Sequence, residues 1–259
     1  MMSPRKRGLT EEAATASIDQ ACRMLRLPSI RQQFHDLADG AARDQMSYRA
    51  FLAELLMAEC DDRARRRSER RIKAAAFPRD KSLRAFDFEA NPNVDPATVN
   101  TLATCEWVKK GEPLCLIGDS GTGKSHLLIA LGTEAAMNGY RVRYVLATKL
   151  VNELVEAADD KQLTKTIARY SRVDLLCADE LGYMELDRRG AELLFQVLTE
   201  REEKNSVAIA SNESLSKAHT FRRTRARCCR TATGSTRHSR SSRTQMSCGH
   251  PPRARVRSS

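Results

Sequence analysis

Apolar positions recur with two different periods along this chain, and the change of period divides it. From Thr10 to about residue 75 they fall at helical spacing. Thr10 is placed to cap a first helix ending at Leu25, and Pro28 suits the first turn of a second, short helix. Ser47 is a candidate cap for a long third helix, in which Phe51, Leu52, Leu55, Leu56 and Cys60 recur at helical spacing. Residues 91–96 form a linker in which Asp95 is a good cap and Pro96 suits a first helical position.

Beyond that linker, short apolar runs alternate with amphipathic stretches. Residues 113–117, 141–147, 173–178 and 207–210 predict strands. Residues 124–138, 148–158 and 188–201 predict helices, the first of them closed by Gly139. Alternation of this kind implies an α/β fold, a parallel sheet with helices on both faces, preceded here by a small all-helical N-terminal domain. After Glu213 the pattern stops: residues 214–259 hold one Leu, one Val, one Phe, one Met and no Ile. Such a segment buries too little apolar surface to offset its ordering entropy, so a disordered tail is expected.

Charge sharpens that division. The net charge of +11 is uneven, because the segment after Glu213 has Lys217 and eleven arginines and no acid. It carries +12, which leaves 32 basic against 33 acidic side chains in residues 1–213. Two explanations compete for this tail, a genuine basic arm and translation in a shifted reading frame, and the abruptness of the change favours the second. No stretch approaches the roughly 20 apolar residues of a membrane-spanning helix. The basic start runs into Glu11 and Glu12 instead of an apolar segment, so no secretory signal and a cytoplasmic location are expected. The eight cysteines lack zinc-site spacing, and Cys115 and Cys177 fall inside predicted buried strands.

The chemistry concentrates in the second region. Gly118, Asp119, Ser120, Gly121, Thr122, Gly123, Lys124 and Ser125 match the pattern G-x-x-x-x-G-K-[ST], after a predicted strand and at the start of a predicted helix. In that context the glycines let backbone N–H groups wrap a phosphate, and the helix points its positive end at the anion. Lys124 would reach the β- and γ-phosphates of ATP, and the Ser125 hydroxyl would ligate Mg²⁺. Asp179 and Glu180 end another predicted strand at the sheet edge where such folds bind ligands. Asp179 is the expected second Mg²⁺ partner, and Glu180 the residue that polarises the attacking water. Asn212, after the fourth strand on the same edge, is a candidate to sense the γ-phosphate or the lytic water; its bland reading is a turn residue.

Two further features stay open. The stretch 61–73 carries Arg63, Arg65, Arg66, Arg67, Arg70, Arg71 and Lys73 against three acids, and reads either as a solvated helix or as a contact to DNA phosphates. Phe86-Asp87-Phe88 reads as an adenine platform or, more simply, as core packing.

With those residues in place, the chain resembles the IstB-type transposition-helper ATPases of bacterial insertion sequences, which belong to the AAA+ group of P-loop NTPases and are related to DnaC-type helicase loaders. The resemblance runs from about Met24 to Asn212. It rests on the stretch Arg66 to Pro78, on Phe86-Asp87-Phe88, on the P-loop, on Tyr140 to Tyr144, on Asp179 to Tyr183 and above all on Leu186 to Val197. It implies a homo-oligomer that assembles on double-stranded DNA with ATP and works with a transposase. A helicase loader, or a nucleotide-binding DNA-coating protein without hydrolysis, are the alternatives. Four segments are expected: a helical domain at 1–78, a linker at 79–96, an incomplete ATPase domain at 97–213 and the basic tail at 214–259. After Glu213 the family's next helix, its arginine-bearing segment and its last strand are not recognisable. An exposed sheet edge beside the P-loop strand is therefore expected, with nucleotide binding retained and assembly-dependent hydrolysis impaired.

Overall fold

The computed structural model describes residues 10–181, 187–202 and 204–212, together with the backbone of 245–248. The expected disordered tail lies outside the described residues except for that last segment, as do Gly182 to Leu186 of the family-like stretch. The chain divides into two compact units, Met1–Arg67 and Ser68–Ser259.

The first unit is helical. Helix α1 (Glu11–Leu25) starts where Thr10 Oγ1 accepts from the Ala13 N–H at 3.4 Å, and it ends on Arg26 in the left-handed conformation. Helix α2 (Pro28–Arg43) has 16 residues and is not the short helix expected. Its entry residue Leu27 offers no side-chain cap. Helix α3 (Tyr48–Ala75) supplies one instead. Glu59 Oε2 accepts from the backbone N–H groups of Ser29 at 2.9 Å and Ile30 at 3.2 Å. Asp62 Oδ2 accepts from the Ser29 hydroxyl at 2.6 Å. Orphan amides at a helix start favour a carboxylate, and here it comes from about 30 residues away in sequence.

The core of this unit gathers Cys22, Ile30, Phe34 and Leu55, with Phe51 against it. The stripe expected on α3 is therefore only half buried. Phe51, Leu55 and Glu59, four residues apart, form the inward ridge. The neighbouring ridge of Tyr48, Leu52 and Leu56 faces out, with Leu52 at 56% and Leu56 at 48% exposure, and Cys60 is exposed too. One small cluster cannot cover both ridges of a helix this long.

In the second unit, strands β1 (Leu114–Ile117), β2 (Val142–Leu146), β3 (Leu175–Asp179) and β4 (Ser206–Ser211) form a parallel sheet in the order β2-β3-β4-β1. Alternate residues feed two cores. Leu114, Leu116, Val142, Tyr144, Leu175, Cys177, Ala208 and Ala210 face α6 (Lys124–Met137) and its Leu127, Leu128 and Leu131. Cys115, Val145, Leu176, Ala178, Val207 and Ile209 face α7 (Ala147–Asp159) and α9 (Arg188–Arg201). Short helices α4 (Pro96–Ala103, capped by Asp95) and α5 (Glu106–Lys109) precede β1. Helix α8 (Leu163–Ser171), which the sequence pattern did not announce, lies between α7 and β3 in the chain. This is the expected α/β architecture, a parallel sheet flanked by helices. No helix among the described residues is long and apolar enough to cross a membrane.

One expectation is corrected. The outer edge of β1 is not left open: β5 (Gln245–Cys248) pairs with it antiparallel, Leu114 opposite Cys248 and Ile117 opposite Gln245. An edge strand's unpaired N–H and C=O groups favour any segment able to pair with them, and four residues of the tail do so.

Candidate nucleotide-binding site

The parallel order places the ends of β1, β4 and β3 side by side, with β4 in the middle. Backbone bonds extend the sheet past those ends: the Gly118 N–H donates to Ser211 O at 3.3 Å, and the Leu181 N–H to Ala210 O at 3.1 Å. Gly118 to Ser125, Asp179 with Glu180, and Asn212 all leave the same sheet edge, as expected.

Residues 118–123 link β1 to α6, whose first residue is Lys124. Gly121 and Gly123 hold φ of +82° and +78°, backbone that side-chain-bearing residues rarely adopt. Space is also short at Gly123, where an added Cβ would lie 2.6 Å from Phe86 Cε2. Phe86 is buried and packs edge-on against Phe88 and His126, with centroids 4.9 and 5.3 Å apart. His126 Nε2 in turn lies 2.9 Å from Ser82 O. Of the two readings of Phe86-Asp87-Phe88, core packing holds, and the core in question is the back of the P-loop.

Lys124 is buried, and its Nζ donates to Asp119 O at 2.6 Å, with Thr122 Oγ1 at 3.5 Å. The ammonium is thus held across the loop between β1 and α6. Ser125 Oγ donates to Asp179 Oδ1 at 3.0 Å. Asp179 is only 3% exposed, and its other oxygen accepts from the Tyr144 hydroxyl at 2.8 Å. Burial, with the Asp179 charge beside it, pushes the Tyr144 phenol far above its ordinary value, so it stays a donor. Nothing in the sequence pattern distinguished Tyr144 from a core residue. Its alternation in β2 marks it as inward-facing, but its partner lies 35 residues on.

Glu180 is exposed and holds φ of +61°, with its N–H donating to Asp179 Oδ1 at 2.9 Å. A left-handed glutamate costs about 1 kcal/mol or more. The Oδ1 atom of Asn212 is buried, and no hydrogen-bond partner is seen for it among the described residues. A buried, unpaired acceptor beside the P-loop suits a ligand-facing role better than a turn role. Phosphate-binding amides, one ammonium, a hydroxyl beside a buried carboxylate and an exposed glutamate form a set able to hold a nucleoside triphosphate and a hard cation.

The charged part of α3 resolves into two groups. Arg63 pairs with Glu59, and Arg65 and Arg66 pair with Asp62. Arg67, Arg70 and Lys73 are exposed, and no ion pair is seen for them among the described residues.

Comparison with known proteins agrees with this geometry. The model of the IstB-like ATP-binding protein family matches residues 20–224. The chain is 34% identical over 197 residues to the insertion sequence IS5376 ATP-binding protein of Geobacillus stearothermophilus, covering 76% of this chain and 78% of the relative. It is 34% identical over 189 residues to the insertion sequence IS21 ATP-binding protein of Pseudomonas aeruginosa, covering 73% and 71%. A crystal structure of the DnaC helicase loader gives a TM-score of 0.43 at 24% identity, over 48% of this chain and 75% of that one. With the family model matching residues 20–224 and relatives 34% identical over about three quarters of its length, the chain belongs to the IstB-like ATP-binding proteins.

Proposed function

We propose that this protein is an ATP-hydrolysing helper of DNA transposition, acting in the cytoplasm as a homo-oligomer on double-stranded DNA beside a transposase. The observation that carries the reading is the convergence of the P-loop, Asp179, Glu180 and Asn212 on one sheet edge, in a chain whose relatives are named as insertion-sequence ATP-binding proteins.

In this reading the amides from Gly118 to Gly123 wrap the β-phosphate, and Lys124 exchanges the Asp119 carbonyl for β- and γ-phosphate oxygens. Ser125 and Asp179 hold Mg²⁺, which their paired oxygens and the burial of the carboxylate fit. With those two holders, the ion would supply positive charge to offset charge developing on the phosphates. Tyr144 orients Asp179 through its second oxygen. Glu180 takes up the proton of the attacking water, and the Asn212 side chain fixes that water or the γ-phosphate. An arginine from a neighbouring subunit usually completes such sites in AAA+ rings; the sequence after Glu213 holds no recognisable counterpart of the segment that bears it, and slow turnover is the expectation. The outward ridge of Tyr48, Leu52 and Leu56 supports a homo-oligomer.

Sedimentation of the full chain with duplex DNA tests the reading. ATP shifts the wild-type chain into DNA-bound oligomers, and Lys124→Ala removes the shift. An identical DNA-bound species with and without ATP refutes it.

A further inference from the structure

A second charged site lies at the opposite end of the sheet. Arg71 of α3, Arg141 and Arg143 at the start of β2, and Arg169 of α8 line a single cleft of about 330 Å³, floored by Val142, Tyr170 and Val173. Its position separates it from the nucleotide. Val142 pairs with Leu175 at one end of the β2–β3 ladder, and Leu146 pairs with Asp179 at the other. Four residues of strand span about 13 Å.

The four guanidinium groups are not equivalent. Arg141 pairs with Asp174 through two nitrogens, one of them at 2.7 Å, and Asp174 also accepts from the Arg141 backbone N–H at 2.7 Å. Arg169 pairs with Glu153, which also accepts from the Tyr170 hydroxyl at 2.6 Å and feels the charge of Arg143. These two arginines are held in place. For Arg71 and Arg143 no ion pair is seen among the described residues, so four arginines face two carboxylates and the cleft keeps two positive charges. Blunting an edge strand takes a single charge. It does not require arginines converging from α3, β2 and α8.

We propose that this cleft binds backbone phosphates of duplex DNA, an inference that rests on the DNA-engaging reading above. Arginine forks match phosphate oxygens bidentately, and pre-anchored neighbours lower the ordering cost of the contact. A cleft of this size takes a sugar-phosphate unit, and phosphate contacts position a protein on the duplex without carrying sequence information directly.

Fluorescence anisotropy with a labelled duplex of mixed sequence, in the full chain and across 50–200 mM salt, tests it. Arg71→Ala/Arg143→Ala weakens binding on the order of 100-fold at the low-salt end and makes the salt slope shallower by about 2. Arg143→Gln alone, on an exposed position, makes it shallower by about 1. Arg71→Lys/Arg143→Lys keeps the wild-type slope, and fluorescent ATP binds every variant alike. Wild-type affinity and slope in the alanine and glutamine variants overturn the cleft while leaving the DNA reading intact. No binding by the wild-type chain overturns that reading and the cleft with it.

Discussion

Gly123→Ala is the substitution whose cost follows most directly from the geometry. A residue with a Cβ at φ of +78° pays about 1–2 kcal/mol for the left-handed conformation. The same Cβ would lie 2.6 Å from Phe86 Cε2. That ring cannot withdraw freely, since Phe88 and His126 pack against it and it is itself buried. Overpacking of this kind costs about 1–3 kcal/mol, so the total loss is about 2–5 kcal/mol, read as a lower denaturation midpoint with reduced ATP affinity. Phe86→Leu supplies the control. Combined with Gly123→Ala it relieves the clash but not the backbone strain, so the double variant is more stable than the two single losses sum to, by about 1–3 kcal/mol. Urea denaturation of the four proteins in the cycle measures this. Additive losses refute the contact between the aromatic segment and the P-loop.

Three other expectations follow from particular contacts. Tyr144→Phe deprives Asp179 Oδ2 of its donor, so the Mg²⁺ concentration needed to support binding of fluorescent ATP rises about 10- to 100-fold; superimposable Mg²⁺ titrations would count against that positioning role. Asn212→Ala removes a buried acceptor for which no partner is seen among the described residues, so stability holds or rises by up to about 1 kcal/mol while hydrolysis falls; a clear drop in melting temperature contradicts this. Burial pushes the Glu59 carboxyl up, but Arg63 and the Ile30 and Ser29 amides outweigh it and hold the group below its ordinary 4.5. A carboxylate held low in the folded state contributes stability that is complete above the unfolded value and is lost as pH falls below it. The first unit of the wild-type chain therefore loses stability below about pH 4.5, and Glu59→Gln flattens that dependence; equal acid titrations of the two proteins refute the trans cap.

Most of the site was legible because its signals are local. The P-loop is eight consecutive residues with a strand before and a helix after, and Asp179 and Glu180 close an apolar run. Helix α9 was read to the residue, since Asp187 caps it and its apolar positions are regular. What escaped depends on distance in sequence. The start of α2 is held by Glu59 and Asp62 of another helix. Helix α8 is short and polar, and its Tyr170 is held by Glu153, 17 residues earlier. The arginine cleft draws on positions 71 to 169, and no window of sequence brings those together. The edge of β1 was misjudged because the pairing of β5 needs only backbone groups, to which a polar, arginine-rich sequence gives no clue.

The central claim is that this sheet edge binds ATP and turns it over through Glu180. Phosphate release from ATP by the purified full chain at low salt, with and without duplex DNA, beside Glu180→Gln, tests it most directly. The account predicts slow, non-cooperative turnover by the wild-type chain, and its loss in Glu180→Gln with ATP binding retained. Equal turnover in the two proteins, or no ATP binding by either, contradicts it.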